Sequence, residues 1–277
     1  DTDTRNLFTA DILITQPIFM GGAITAANRM AKLSEQLADN SIENSRQSTI
    51  YETDKAYWLV VSLKQKQRLA DSYLDLVKKL HSDVEKMVND GIATKADGLK
   101  VAVKVNEAEM AKQKVDDGLT LAKMLLCQIC GIDINGDITL ADEDNEDIAA
   151  TTAVSDINKE EAFENRTELK MLQNTIDISK ENTKLVRAAY LPKVAAMGGY
   201  MMSNPCLYNG FERKFSGMFH VGVVVQVPVW SWFEGRYKMN ATKAATNIAQ
   251  MELNDAQEKI ELQINQTSFQ TREARKR

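Results

Sequence analysis

Phe8-Thr9-Ala10-Asp11-Ile12-Leu13-Ile14-Thr15-Gln16-Pro17 returns 211 positions later as Phe219-His220-Val221-Gly222-Val223-Val224-Val225-Gln226-Val227-Pro228. In both copies large apolar residues alternate with small or polar ones. Phe8, Ile12, Phe219, Val221, Val223 and Val225 fall on one face, and Thr9, Asp11, Thr15, His220 and Gln226 on the other. That alternation reads as a strand with one buried and one mixed face. Each strand ends at a proline and leads into a helical pattern, and a third strand is expected at about Val194 to Met202.

Outward from these strands the chain reads almost wholly as helix. After Pro17 and the Gly21-Gly22 pair, apolar residues recur at steps of three and four, through Met30, Leu33, Leu37, Tyr57, Val60, Leu69, Tyr73, Leu76, Leu80 and Val84. No breaker appears before Asp90-Gly91, which predicts one helix over Ala23 to Asn89. At 1.5 Å per residue it is about 100 Å long, whereas a compact globule of this chain length is about 50 Å across. Such a helix does not belong to a globule, and little is left in the chain to cover the apolar strand faces. Lipid is the expected cover.

The helix reverses on legible punctuation. Gly91 suits the left-handed position after a helix, with Ile92 next to it closing a Schellman stop. Thr94 and Asp97 form a capping box that opens a return helix from Lys95 to Cys130. Residues 132–157 break the pattern, and the acidic stretch from Asp142 to Asp147 reads as a solvated connector. A second helix is expected from near Asn158 to Leu191, stopped by Pro192. A last helix begins near Gly235. The expected organisation is a strand segment over 1–20, a helical hairpin over 21–131, a connector over 132–157, a helix over 158–192, a strand hairpin over 193–232 and a further helix over 233–277.

Composition narrows the function classes. A net charge of −5 with 44% hydrophobic and 26% charged residues is ordinary for a folded protein, and Lys and Arg are scattered among acids, so no nucleic-acid partner is expected. No window holds the roughly 18 uninterrupted apolar residues of a membrane-spanning helix, so a membrane role has to use strands. The three cysteines make no disulfide framework, and Cys127 and Cys130 read as residues of a helix's last turn rather than a zinc or redox pair. A calcium loop starting at Asp133 fails because its sixth position is Ile138 instead of glycine. With two histidines, His81 and His220, no catalytic constellation assembles, so neither enzyme activity nor a cofactor or metal is expected. Phe19, Tyr190, Trp230 and Trp232 gather where helices meet strands, as core packing or as a membrane-interface belt.

Taken in order, Gln16 to Gly22, the long helix, Asp90 to Asp97, Tyr190 to Val194 and Val227 to Trp230 resemble the TolC-type outer-membrane efflux channels. The resemblance covers nearly the whole chain. It implies a mainly α fold with a small β part, in which very long antiparallel helices form a tunnel wall joined to a transmembrane β-barrel. It also implies a homotrimer with four strands per subunit in a shared 12-stranded barrel, of which this sequence carries three. On that resemblance the family's signal sequence, opening helices, first strand and second helical hairpin, with the gating contacts, are expected to lie outside it.

The expected function is a passive exit duct in the outer membrane of a Gram-negative bacterium, reaching into the periplasm. It would serve an inner-membrane pump and a periplasmic adaptor, with outer-membrane lipid around the barrel. On that reading Phe8, Ile12, Phe219, Val221, Val223 and Val225 face lipid, and Thr9, Asp11, Thr15, His220 and Gln226 face a watery lumen. Gly91, Ile92, Ala93, Thr94 and Lys95 form the adaptor-contacting tip. Pro17, Gly21, Gly22, Pro192 and Pro228 mark strand-helix junctions. The rival reading is a soluble periplasmic coiled-coil adaptor or structural protein, for which a compact domain of many short strands is expected instead.

Overall fold

The computed structural model describes residues 7–145, 159–206 and 213–276. Its elements are β1 (Phe8–Met20), α1 (Ala23–Asn89), α2 (Lys95–Cys130), α3 (Lys159–Asn165), α4 (Thr167–Ala188), β2 (Lys193–Asn204), β3 (Ser216–Gln226) and α5 (Glu234–Lys276). The bounds of α1 and α2 fall where the stop and start signals put them. Two units divide the chain, residues 1–42 with 155–277 and residues 43–154, so that α1 contributes to both.

In the first unit the strands form one antiparallel sheet in the order β1-β2-β3. β1 runs three residues past Pro17, where a sequence reading stops it. Its register shifts between Pro17 and Phe19, and an irregularity on an edge strand is where a residue with no N–H is accommodated. The helical core of this unit lies between α4, through Leu169 and Ile176, and α5, through Ala249, Leu253, Ile260 and Ile264. Burying such aliphatic side chains contributes about 1.5–3 kcal/mol each. Ser179 and Thr246 share a hydroxyl hydrogen bond of 2.8 Å between the same two helices.

The single helix expected before Pro192 is two helices. Arg166 adopts extended backbone between α3 and α4, and the Asn165 side-chain amide donates back to the Glu161 carbonyl at 3.0 Å. Such local bonds compete with helix propagation. α4 also stops at Ala188, four residues ahead of the proline. The residue before a proline is disfavoured in helical conformation, and the chain leaves in shorter-range turns, with Tyr190 N–H on the Arg187 carbonyl and Leu191 N–H on the Ala188 carbonyl. The expected start near Asn158 and the outer loop with Asn209 and Gly210 lie outside the described residues.

In the second unit α1 and α2 pack antiparallel through Ala56 and Val60 against Leu119, Ala122 and Leu126. Further toward the turn, Gln67 donates to Asp116 at 2.6 Å, Lys112 pairs with Asp71 and Lys78 with Glu109 at 2.9 Å. Both ends of α2 are closed by local chemistry. Thr94 Oγ1 accepts from the Asp97 N–H while the Asp97 carboxylate accepts from the Thr94 N–H. The Thr94 hydroxyl bond, followed by the backbone contact and Lys100, holds the Asp97 carboxyl below its ordinary pKa. At the other end Gly131 is left-handed, and the Ile132 N–H reaches the Cys127 carbonyl at 2.9 Å.

The acidic stretch is solvated only in part where it is described, with Asp144 and Asn145 exposed but Glu143 buried; Glu146 and Asp147 lie outside the described residues. Ile138 and Leu140 pack on the α1/α2 core, and the segment after them is tied down by charge. Glu143 is 5% exposed. It sits 3.5 Å from Lys64 and 3.4 Å from Lys123, and accepts from the Leu140 N–H at 3.0 Å. Burial pushes its pKa up, but the Leu140 N–H and the two ammonium groups outweigh burial and hold it below the usual value. Asp142 accepts from the Tyr57 hydroxyl at 2.7 Å, and Asp144 pairs with Arg68. A buried carboxylate requires such partners; they lie on α1 and α2, 20 to 85 residues away in sequence.

Candidate functional site

The sheet's register decides which side chains share a face. Cross-strand rows run Ile12–Tyr200–Phe219, Ile14–Gly198–Val221, Gln16–Ala196–Val223 and Phe19–Val194–Val225 on one face. Successive residues of a strand point to opposite faces, so this face also carries Phe8. All six residues expected to meet lipid therefore lie together, and they are 60–74% exposed. The rows Thr9–Ser203–Ser216, Asp11–Met201–Met218, Leu13–Gly199–His220 and Thr15–Met197–Gly222, with Lys193–Gln226, form the other face. Thr9, Asp11, Thr15, His220 and Gln226 are thereby brought together. Leu13, Met218 and Val224 share that face, which is less polar than the alternation alone suggests.

Two glycines make room for cross-strand aromatic rings. A Cβ on Gly199 would lie 2.6 Å from the His220 ring, so the imidazole lies across β2 at that point. On the apolar face the Tyr200 phenol covers Gly217 in the same way. Aromatic cover of a glycine restores packing that the missing side chain leaves out.

The turn between the long helices has Gly91 at φ +76°, with its N–H on the Val88 carbonyl at 3.1 Å and the Ile92 N–H on the Met87 carbonyl at 2.8 Å. This is the Schellman pair of bonds. The Ile92 side chain is nevertheless 77% exposed, more than most large apolar residues of the chain. Gly91, Ala93, Thr94 and Lys95 lie beside it at the same turn.

At the strand-helix junctions Gly21 and Gly22 are left-handed, at φ +63° and +88°. Gly21 also presses on the end of α4, where an added Cβ would meet the Ala188 carbonyl oxygen and Leu191 Cβ at 2.8 Å. Pro192 follows that contact by one residue. Pro228 stands between β3 and α5, ahead of a feature that sequence reading missed, since Trp232 and Phe233 both have positive φ. Non-glycine residues pay for that backbone region. Trp230 stacks edge-on against Trp232 and Phe233, with ring centroids 6.0 and 5.7 Å away. All three rings are largely exposed, which sets them apart from ordinary core packing.

Among the described residues no group of three His, Cys, Asp or Glu side chains is placed so that it could hold a metal ion. No helix of the described chain is long and apolar enough to cross a membrane. His81 lies on α1 beside Glu85 at 3.9 Å, far in sequence from His220 on β3. Cys127 and Cys206 are buried and Cys130 is exposed.

Residues 1–131 match the family model described as outer membrane efflux protein. No curated protein matches the chain. Among solved structures, the outer membrane protein VceC from Vibrio cholerae is similar at 14% identity and a TM-score of 0.77, over 98% of this chain and 71% of that one. CusC, described for its folding and transmembrane channel formation, gives 11% identity and 0.76 over 95% of this chain and 60% of its own. The open MtrE outer membrane channel of Neisseria gonorrhoeae gives 13% and 0.68 over 92% and 61%. The chain thus spans about three-fifths of the CusC and MtrE chains. Its residues 1–131 are similar to the outer membrane efflux protein family, and the described chain has the fold of these outer-membrane channels.

Proposed function

We propose that the chain is the wall of a passive exit duct in the outer membrane of a Gram-negative bacterium. It receives solutes or secreted substrates from an inner-membrane pump through a periplasmic adaptor and catalyses no reaction. One observation carries this reading: the register collects Phe8, Ile12, Phe219, Val221, Val223 and Val225 on a single exposed face. An apolar patch of that kind marks an interaction surface. The strands are 13, 12 and 11 residues long, enough to cross a bilayer's hydrocarbon when tilted by about 45°.

Three strands leave two unpaired edges, which lipid does not tolerate. Closure with the strands of identical neighbours satisfies both, so the proposed unit is a homotrimer with one shared barrel. The same assembly gives partners to Trp58, Leu69 and Leu76, which α1 leaves exposed. Thr9, Asp11, Thr15, His220 and Gln226 then face water inside the barrel.

The rival, a soluble coiled-coil adaptor, calls for a compact domain of many short strands; the described residues form three long ones. Imaging the full-length protein separates the two. A detergent-dependent trimer with a central bore is expected, and a monodisperse particle soluble without detergent and lacking a bore rejects the duct.

The exposed Ile92 and its neighbours Gly91, Ala93, Thr94 and Lys95 are proposed as the adaptor contact. With a photo-crosslinker at Ala93 in cells that co-express the adaptor, a covalent product is expected. Absence of product from every one of positions 91–95 removes the turn from the interface and leaves the duct standing.

A further inference from the structure

We propose that the apolar face of the sheet carries a slot for one acyl chain of a membrane phospholipid, with Ala196 and Gly198 of β2 as its floor. The slot has a volume of about 380 Å³. Register sets its walls: Gly198 pairs with Ile14 on β1 and Val221 on β3, and Ala196 pairs with Gln16 and Val223. The central strand therefore offers a hydrogen and a methyl where both neighbours offer longer side chains. Val194 and Tyr200 bound the floor on the same strand, about 20 Å apart at the usual rise per residue.

The other glycines of the sheet have side chains against them. His220 lies over Gly199, Tyr200 over Gly217, and Met197 beside Gly222. Gly198 differs, because a Cβ there would meet only the His220 backbone carbonyl oxygen within 4 Å, at 3.9 Å. Tyr200, next to it on the same face, leans the opposite way, toward the row of Met202 and Gly217. The floor stays bare.

Dimensions select the occupant. Neighbouring strands lie about 4.7–4.9 Å apart, so a run of methylenes along the mid-line of β2 passes within about 5 Å of each wall's axis. Carbon atoms attract best at about 3.5–4.0 Å, a distance such a run reaches to both walls at once. A packed helix keeps its axis about 8–10 Å away and a second sheet about 10 Å, so either would touch the floor only with isolated side chains. Among the described residues none that lines the slot is charged. The Gln16 amide at one end donates back to the Pro17 carbonyl at 3.2 Å.

The walls are also stiff. Ile14, Val221 and Val223 are β-branched and restricted at χ1, so the slot exists before a chain enters it. Within hydrocarbon a lipid chain gains nothing from leaving water, and its preference for the slot over bulk lipid comes from packing against fixed walls. The expected result is one ordered chain on a face where other lipid is fluid. This inference rests on the proposed placement of that face against lipid, and adds the position at which a chain is held.

The test places full-length trimers in nanodiscs of phosphatidylethanolamine with dibrominated acyl chains and images them by cryo-electron microscopy. Elongated density over Gly198, between Ile14 and Val221, is expected in every subunit and stronger than elsewhere on the apolar face. Gly198→Leu fills the floor at a position where its Cβ has room, and is expected to keep the trimer and lose that density. Embedded trimers whose density over Gly198 is as diffuse as over the rest of the face overturn the slot and leave the duct standing, as does density unchanged in Gly198→Leu. The parent density decides by itself if the leucine variant does not assemble. Failure of the parent protein to enter nanodiscs as a trimer with a bore overturns the duct, and the slot with it.

Discussion

Gly21→Ala is expected to be among the most damaging single-methyl additions in this chain, lowering stability by about 2–5 kcal/mol, whereas Gly22→Ala should cost about 1–2. Both glycines are left-handed, at φ +63° and +88°, and an L-residue pays about 1–2 kcal/mol for that conformation. Only Gly21 has a second penalty. Its added Cβ would stand 2.8 Å from the Ala188 carbonyl oxygen and from Leu191 Cβ, and overpacking of this kind costs about 1–3 kcal/mol. Neither neighbour swings aside easily. Ala188 is fully buried, its carbonyl accepts the Leu191 N–H, and Leu191 immediately precedes Pro192. Gly22 has open space where its Cβ would be. Thermal unfolding of the two purified variants against the parent measures the difference. Equal losses would mean that the junction does not depend on the contact between β1 and the end of α4, and that backbone conformation alone explains both glycines.

The same pair shows what could be read before any coordinates. That two glycines sit between a strand and a helix is a local fact, visible in the sequence, and so are the Thr94–Asp97 box, the Gly91 stop and the bounds of α1 and α2. Each depends on residues within a few positions of one another. The face assignments of β1 and β3 were legible for a related reason, because a strand's period of two is written along it. What joined those faces was the register through β2, and β2 is poor in alternation, with Ala195, Ala196, Gly198 and Gly199 on both sides.

Long-range facts were hidden. Nothing near Gly21 announces Ala188, and nothing near Glu143 announces Lys64 or Lys123. Within an acidic stretch that reads as solvent-facing, Glu143 became a buried anchor because two lysines on two other helices meet it. The break at Arg166 is a local event with a weak signal, a single asparagine amide turned back on its own helix, without the proline or glycine that usually marks an end. The left-handed backbone at Trp232 and Phe233 goes against residue preference altogether, and the exposed rings they carry are where local rules yield to the surroundings of the strand end.

Val223→Lys is expected to prevent accumulation of assembled trimer in the outer membrane, whereas Gly222→Lys one residue away should leave most of it. Val223 lies in the row Gln16–Ala196–Val223 on the apolar face and is 65% exposed. If lipid covers it, a lysine there costs about 2–4 kcal/mol near the bilayer midplane, falling toward zero at the interfaces. A homotrimer incurs the cost once per subunit. Gly222 points to the opposite face, and its nearest prospective neighbours are the Met197 side-chain atoms at 3.8 and 3.9 Å. A lysine fits there by ordinary contact, with its ammonium in water. The comparison separates charge from bulk, because both variants introduce the same side chain at adjacent positions of one strand. Heat-modifiable trimer bands from isolated outer membranes measure the outcome, and Val223→Ala, which removes two methyl groups without adding charge, is expected to assemble. Comparable yields from Val223→Lys and Gly222→Lys would show that the apolar face does not meet hydrocarbon. Loss from Gly222→Lys alone would reverse the two faces, and with them the wall of the duct.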